Sequence, residues 1–182
     1  MDALEQSANM KGSRASILNF ILNLWWTILC FTPVLVFWFL HYQQTLLLGQ
    51  LLLSALFLFL PESAWVRLQI SNDKEVYERL GVRAIQAVTQ NGKLINHLAG
   101  TDGKPRRTIR SRSDLVRLRR QIVMYERYHL FCLVFFFSTM ATAVVQSRIG
   151  LAALILISNI LYNVYPLLIQ QYNRIRSGWR KI

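Results

Sequence analysis

The stretch that decides the fold is residues 15–61, ASILNFILNLWWTILCFTPVLVFWFLHYQQTLLLGQLLLSALFLFLP, a run of 47 without Asp, Glu, Lys or Arg. Two further uncharged runs cover residues 128–147 (20 residues) and 149–173 (25 residues). A helix that crosses a bilayer needs ~20 consecutive apolar residues, whereas a run of ~10–14 suits a buried helix of a soluble protein. Together the three runs make up half of the 182 residues. This pattern excludes a soluble enzyme, a disordered chain and a disulfide-rich secreted domain.

The first run is too long for one membrane span. As a single helix it would extend ~70 Å, about twice the hydrocarbon thickness of a bilayer. Polar and aromatic residues at 41–44 suit the lipid interface and predict a turn there. We therefore predict an all-α, polytopic integral membrane protein, a single membrane domain over 1–182 with four transmembrane helices. The predicted spans are about 16–40, 45–65, 128–146 and 149–170, with amphipathic cytoplasmic helices in 66–127.

The Lys and Arg residues predict the orientation. Twenty of the 21 lie in the N-terminal segment, in 66–127 or in the C-terminal tail, and Arg148 alone lies in the two other turns. Basic residues next to membrane spans are retained on the cytoplasmic side. We therefore expect the protein in the plasma membrane, with both termini and residues 66–127 facing the cytoplasm. Anionic lipid headgroups account for the net charge of +12, and we expect no nucleic-acid partner.

The segment 66–127 is too short for an ordinary domain with its own core, so interfacial helices are expected there. Asn72 followed by Glu75 has the spacing of a helix N-cap with its reciprocal acid. Gly81 is expected to weaken that helix. The residues predicted to form its apolar stripe recur every four positions: Val76, Leu80, Ala84 and Val88.

A second cytoplasmic helix is predicted to begin at Ser113 and to continue into the third span. One face of it follows a 3-4-3-4 spacing typical of an inward stripe. That face consists of Leu115, Leu118, Ile122, Tyr125 and His129.

Polar side chains within membrane helices are costly, so their positions carry information. Several converge toward the cytoplasmic side of the predicted bundle: Asn19, Asn23, Glu62, Glu126, His129, Asn163 and Tyr165. Asn residues at such positions also serve as hydrogen-bonding contacts between helices, and this interpretation stays open for Asn19 and Asn23.

The pair Glu126 and His129 lies one helical turn apart and allows three interpretations. It could be a structural ion pair, or half of a carboxylate metal site, which needs a second such pair that the chain lacks. In the third, the carboxylate orients the imidazole, which activates a hydroxyl for attack on an acyl carbonyl. We expect no metal, and no phosphate loop, nucleophile elbow or dinucleotide fingerprint occurs in the sequence.

Three stretches of the chain resemble a known family. The tail NILYNVYPLLIQQYNRIR (159–176), the segment EVYERLGVR (75–83) and the Glu-x-x-His motif at 126–129 appear in the same order. They are similar to bacterial glycosyl-4,4'-diaponeurosporenoate acyltransferases, small membrane proteins of carotenoid biosynthesis, over roughly residues 70–176. Gln171 departs from the Arg that this family tends to have.

The resemblance implies transfer of a fatty acyl group to a hydroxyl of a glycosylated isoprenoid, carotenoid or other glycolipid, at the cytoplasmic interface of the bacterial plasma membrane. The donor would be acyl-CoA or a similar thioester, with no further cofactor. His129 would be the general base and Glu126 its partner. The predicted substrate-binding residues are Asn163, Tyr165, Asn173, Arg174, Arg176, Asn19, Asn23, Glu62 and Glu75. A non-catalytic membrane scaffold, a lipid reductase and a lipid methyltransferase remain as alternatives.

Overall fold

The computed structural model describes residues 3–89, 93–100 and 112–177, and within these ranges the chain is helical and has no strand. The helices, numbered along the chain, are α1 (Ala3–Leu40), α2 (Gln44–Leu56), α3 (Glu62–Arg67), α4 (Lys74–Arg79), α5 (Val82–Val88), α6 (Lys93–Leu98), α7 (Arg112–Val145), α8 (Ile149–Asn159) and α9 (Tyr165–Arg176).

Three helical segments among the described residues are long and apolar enough to cross a membrane. They are Gly12–Leu40 within α1, the whole of α7, and Ile149–Arg176, in which α8 continues into α9. The helix α7 begins at Arg112 and ends at Val145, so the helix predicted to run without interruption from Ser113 into the apolar run that follows is present. The all-helical prediction is confirmed.

The second apolar helix is shorter than predicted. It ends with a 3₁₀ turn at Phe57–Phe59, so the apolar helix covers Gln44–Phe59 and does not continue to residue 65. Leu60 is extended (φ −59°, ψ 133°) because the ring of Pro61 disfavours a helical conformation of the residue before it. A new short helix, α3, begins after Pro61.

Two turns lie at one end of the long helices, which we call the turn end. The first separates α1 from α2 at residues 41–43, where the sequence predicts it, and the second joins α7 to α8 at 146–148. A buried cluster near this end includes Val34, Phe37, Phe136 and Ile155 and holds the helices together. The opposite end, which carries α3–α6 and the arginines of α7 and α9, we call the basic end.

The short helices of the basic end differ from the predicted ones in register. The N-cap is Asp73, whose side chain accepts the N–H of Glu75, and not Asn72. Gly81 adopts the left-handed conformation (φ 80°) and separates α4 from α5, so one helical stripe cannot extend through it.

The predicted apolar stripe is therefore wrong, because the change of direction at Gly81 shifts the inward face. Leu80 and Val88 are exposed, whereas Tyr77 and Val82 are fully buried. The two buried residues pack against a cluster on α9 that consists of Leu168, Ile169 and Tyr172. This contact fixes the short helices to the last long helix.

Candidate active site

A π-helical turn at Ile160–Val164 interrupts the last long helix. Pro166 has no N–H, so it cannot donate to the carbonyl of Tyr162 four residues earlier. The N–H of Tyr165 instead bonds to the carbonyl of Ile160, five residues back. Turns of this kind insert one extra residue into a helix and occur often at functional sites. The insertion brings Asn163 into the interior, where it is fully buried.

Asn163 connects His129 to a chain of amide hydrogen bonds. Nδ1 of His129 lies 3.5 Å from Oδ1 of Asn163. Nδ2 of Asn163 donates to Oδ1 of Asn159 over 2.8 Å, and Nδ2 of Asn159 donates to the carbonyl of Leu133 over 3.1 Å. The N–H groups of both amides thus donate away from the imidazole, Asn163 to Asn159 and Asn159 to α7. Oδ1 of Asn163 is left as an acceptor that faces the imidazole.

A second chain, made of hydroxyl groups, lies beside the imidazole. The hydroxyl of Tyr162 lies 3.2 Å from that of Tyr128 and 2.9 Å from that of Thr27. The ring of Tyr162 also contacts His129 edge-on, with centroids 5.7 Å apart. The structure therefore connects α1, α7 and the π turn at this position through hydroxyl groups that are not among the predicted site residues.

Glu126 forms a buried ion pair with Arg174. Nη2 of Arg174 donates to Oε2 of Glu126, and the side chains are only 5% and 2% exposed, respectively. This corrects the predicted pairing of Glu126 with His129. A buried carboxylate requires a full opposite charge nearby, and the packing of α9 against α7 supplies the guanidinium. The pair fixes these two helices together, and donor binding by Arg174 stays a prediction.

The other predicted substrate-binding residues lie at several positions in the structure, and substrate binding by each of them stays a prediction. Asn19 is buried, whereas Asn23 is exposed and its carbonyl accepts the hydroxyl of Thr27. Tyr165 packs against the buried cluster of the basic end. Glu75 is exposed at the start of α4, and the side chain of Glu62, at the start of α3, lies outside the described residues.

The two predicted residues near the chain end contact the short helices or their own helix. Asn173 accepts a hydrogen bond from Nε2 of Gln86 over 3.4 Å. The guanidinium of Arg176 lies over the ring of Tyr172, 5.5 Å from its centre. These contacts stabilise the basic end, and substrate binding by either residue stays a prediction.

Gln171, where the resembling family tends to have Arg, proves to be a central contact of the basic end. Its Oε1 lies 3.0 Å from the hydroxyl of Tyr77 and accepts the N–H of Ile70, and its Nε2 donates to the carbonyl of Leu68. Burial raises the pKa of Tyr77 above its usual value. A neutral amide satisfies both a donor and an acceptor here, which a guanidinium cannot do.

Comparison with known proteins identifies the family. The family model for glycosyl-4,4'-diaponeurosporenoate acyltransferases matches residues 61–178, well over half of the chain. The chain belongs to this family. Acyltransferase activity in general follows, and with it an acyl donor and a glycolipid acceptor in general. The match covers His129, Asn163 and the Glu126–Arg174 pair, whereas α1 with Thr27 lies outside it. No curated protein and no solved structure matches the chain.

Within the described residues, no group of three or more His, Cys, Asp or Glu side chains is placed to hold a metal ion. The two cysteines, Cys30 and Cys132, are both buried and free. The groups around the π turn are an imidazole, amides and hydroxyls, and the thiol of Cys132 contacts the hydroxyl of Tyr128.

Proposed function

We propose that this protein is a membrane-embedded acyltransferase that uses His129 as its general base. It would move a fatty acyl group from a thioester such as acyl-CoA to a hydroxyl of a glycosylated isoprenoid, carotenoid or other glycolipid. The observation that supports this most is the contact between Nδ1 of His129 and the amide chain Asn163–Asn159, in a chain that belongs to an acyltransferase family.

The amide chain favours one tautomer of His129. Nδ2 of Asn163 is used as a donor to Asn159, so Oδ1 of Asn163 accepts. Nδ1 of the imidazole then carries the hydrogen, and Nε2 keeps the lone pair that a base requires. The amides thus take the orienting role that the sequence analysis gave to Glu126.

The reaction proceeds by general base catalysis. Nε2 of His129 takes the proton of the acceptor hydroxyl as its oxygen bonds to the thioester carbonyl carbon. The C–S bond then breaks, and the leaving thiolate takes the proton back from the imidazolium. The hydroxyl of Thr27 donates to Asn23, so Tyr162 donates to Thr27 and Tyr128 donates to Tyr162. The hydroxyl of Tyr128, at the start of this chain, would turn from Tyr162 to donate to the developing oxyanion.

The same proposal includes four crossings, with the basic end in the cytoplasm. In addition to the three long helical segments, Gln44–Phe59 would cross the membrane. Its ~24 Å of helix is slightly shorter than the hydrocarbon core. Single cysteines at Gln43 or Ser147, in a chain that lacks Cys30 and Cys132, should react with an impermeant thiol reagent on intact cells. A cysteine at Ser71 should react only after permeabilisation. Labelling of the Ser71 variant on intact cells would contradict this orientation.

The activity is tested with membranes from cells that do or do not express the chain. They are incubated with palmitoyl-CoA and glycosyl-4,4'-diaponeurosporenoate, or with a glycosylated diacylglycerol as an alternative acceptor. Mass spectrometry should show an acceptor that is heavier by one palmitoyl group, only where the chain is expressed. A gain of a methyl group or of two hydrogens would indicate another lipid-modifying enzyme, and unchanged lipids would indicate a scaffold.

A further inference from the structure

A groove of about 660 Å³ lies between the end of the second apolar helix and the first turns of α7. Its size is within the range that binds a headgroup with part of an acyl chain. We call it the α7 groove, and its lining residues are Leu58, Val116, Arg119, Arg120, Val123, Met124, Arg127 and Tyr128.

The α7 groove combines an apolar surface with a positive one. Met124 is 56% exposed and Val116 47% exposed, although both are apolar residues among arginines. Nε of Arg127 is buried and has no hydrogen-bond partner among the residues that the structure describes. A buried N–H without an acceptor is costly, so a turn of the Arg127 side chain that brings this atom to a ligand oxygen in the groove would be favourable.

The composition of the α7 groove, in which arginines flank an apolar stretch, indicates an amphiphile that carries both phosphates and methylene groups. Arginine binds phosphate oxygens through several N–H groups at once, and the apolar side chains would contact the methylene groups. Several cationic side chains suit a headgroup with more than one phosphate better than a single phosphodiester. That chemistry is found in acyl thioesters of coenzyme A.

The α7 groove also leads to the candidate active site. Tyr128 lines it, follows Arg127 in the chain, and precedes His129. The hydroxyl of Tyr128 lies 3.2 Å from that of Tyr162, whose ring contacts the imidazole. A chain held by Leu58, Val123 and Met124 could therefore present its thioester beside these hydroxyls.

We propose that the α7 groove binds the acyl donor, with Arg120 on its phosphates, Val123 and Met124 along the arm that joins the phosphates to the thioester, and Arg127 on a carbonyl oxygen of that arm. This inference rests on the proposed acyltransferase function and gives the donor a location other than Arg174 and Arg176. The proposed ligand is an acyl thioester that carries phosphates. An anionic phospholipid has similar chemistry and is separated from it by the test.

The test measures binding without reaction. The full chain is placed in phosphatidylcholine nanodiscs and titrated with radiolabelled S-hexadecyl-CoA, a thioether that cannot transfer its chain. Arg120→Gln and Arg127→Gln should each raise the Kd about tenfold, which corresponds to loss of one charge-assisted hydrogen bond. Arg117→Gln is the matched control, because Arg117 is exposed on the same helix but does not line the groove. Its Kd should change by less than about twofold.

Further variants separate the contributions of charge, apolar contact and folding. Arg127→Lys should lose less affinity than Arg127→Gln, because Lys keeps the charge without the planar fork. Met124→Trp should fill the apolar part and weaken binding of the thioether and of unacylated coenzyme A alike. Elution volume and melting temperature identify any variant whose affinity falls because it has not folded. If Arg127→Gln does not fold, Arg127→Lys is compared with the Arg117→Gln control instead.

Two results would overturn the assignment of the α7 groove. One is equal Kd values for Arg120→Gln, Arg127→Lys and the Arg117→Gln control. The other is displacement of the thioether by phosphatidylglycerol as effectively as by unlabelled thioether, which would identify a lipid headgroup site.

Failure of the α7 groove is distinguishable from failure of the proposed function. His129→Ala should bind the thioether with the affinity of the unsubstituted chain. If the binding pattern holds but no acylated acceptor forms, the function is wrong and the groove stands. If acyl transfer occurs with unchanged KM for the donor in the arginine variants, the groove is wrong and the function stands.

Discussion

Two buried polar networks lie at opposite ends of the helix bundle, and they differ in how they end. At the turn end, Nε1 of Trp38 donates to Thr139, whose hydroxyl donates to Oε1 of Gln50, and Nε2 of Gln50 donates to Thr142. These bonds join α1, α2 and α7. The groups at the two ends of the network, Trp38 and Thr142, each form a hydrogen bond to another helix. It holds the helices together, as polar groups in membrane helices commonly do.

The network at the basic end finishes on a titratable group. The bonds from Leu133 through Asn159 and Asn163 lead to His129, which is only partly buried. Beside it lies the hydroxyl chain of Tyr128, Tyr162 and Thr27. Buried amides occur in both networks, so they do not by themselves indicate the proposed site. The difference is the imidazole at the end of the chain, close to a groove.

The largest expected effect concerns the ion pair beside the basic-end network. Glu126→Gln should lower the free energy of unfolding by ~3–5 kcal/mol, because it leaves a buried guanidinium without its carboxylate. Denaturant titration of the purified protein measures this. The exchange Glu126→Arg with Arg174→Glu should recover part of the loss. A Glu126→Gln protein of normal stability and full turnover would contradict a structural role for the pair.

The next effect tests whether the amides orient the imidazole. Asn163→Leu should lower kcat about tenfold and leave KM for the donor nearly unchanged, because the imidazole loses its orientation while the binding groove is untouched. Steady-state kinetics on folded protein separates the two constants. A rise in KM with unchanged kcat would instead indicate that Asn163 binds substrate.

The smallest effect belongs to the turn end. Gln50→Leu removes three interhelical hydrogen bonds and should lower stability by ~2 kcal/mol, since such bonds contribute ~0.6 kcal/mol each on average. Turnover per folded molecule should be unchanged. Loss of turnover at normal abundance would contradict the assignment of this network to stability alone.

The sequence predicted the long helices because uncharged runs are sufficient to indicate them. It also contained the signal for the shortened second helix, since Pro61 restricts Leu60. Pro166 was a comparable signal, because a proline within a helix removes a donor, and it could have located the π turn.

The sequence could not predict which charge Glu126 meets. Its spacing from His129 is local, whereas Arg174 lies 48 residues away and reaches it only through the packing of α9 on α7. The inward face of α4 and α5 was missed for a related reason. The helical repeat of α4 does not continue through Gly81 into α5, so the spacing of apolar residues cannot predict the inward face of both helices. The direction of the chain after Gly81 depends on contacts with α9.

The central claim is that the basic-end network is reactive and the turn-end network is not, and a matched pair of variants tests it most directly. Turnover per folded molecule is measured for His129→Ala and for Thr139→Val, each of which removes one member of a network. His129→Ala should lower turnover by ~100-fold or more at unchanged abundance, the contribution expected of a general base. Thr139→Val should keep turnover near that of the unsubstituted chain. A folded His129→Ala protein that retains most of its activity would contradict the account.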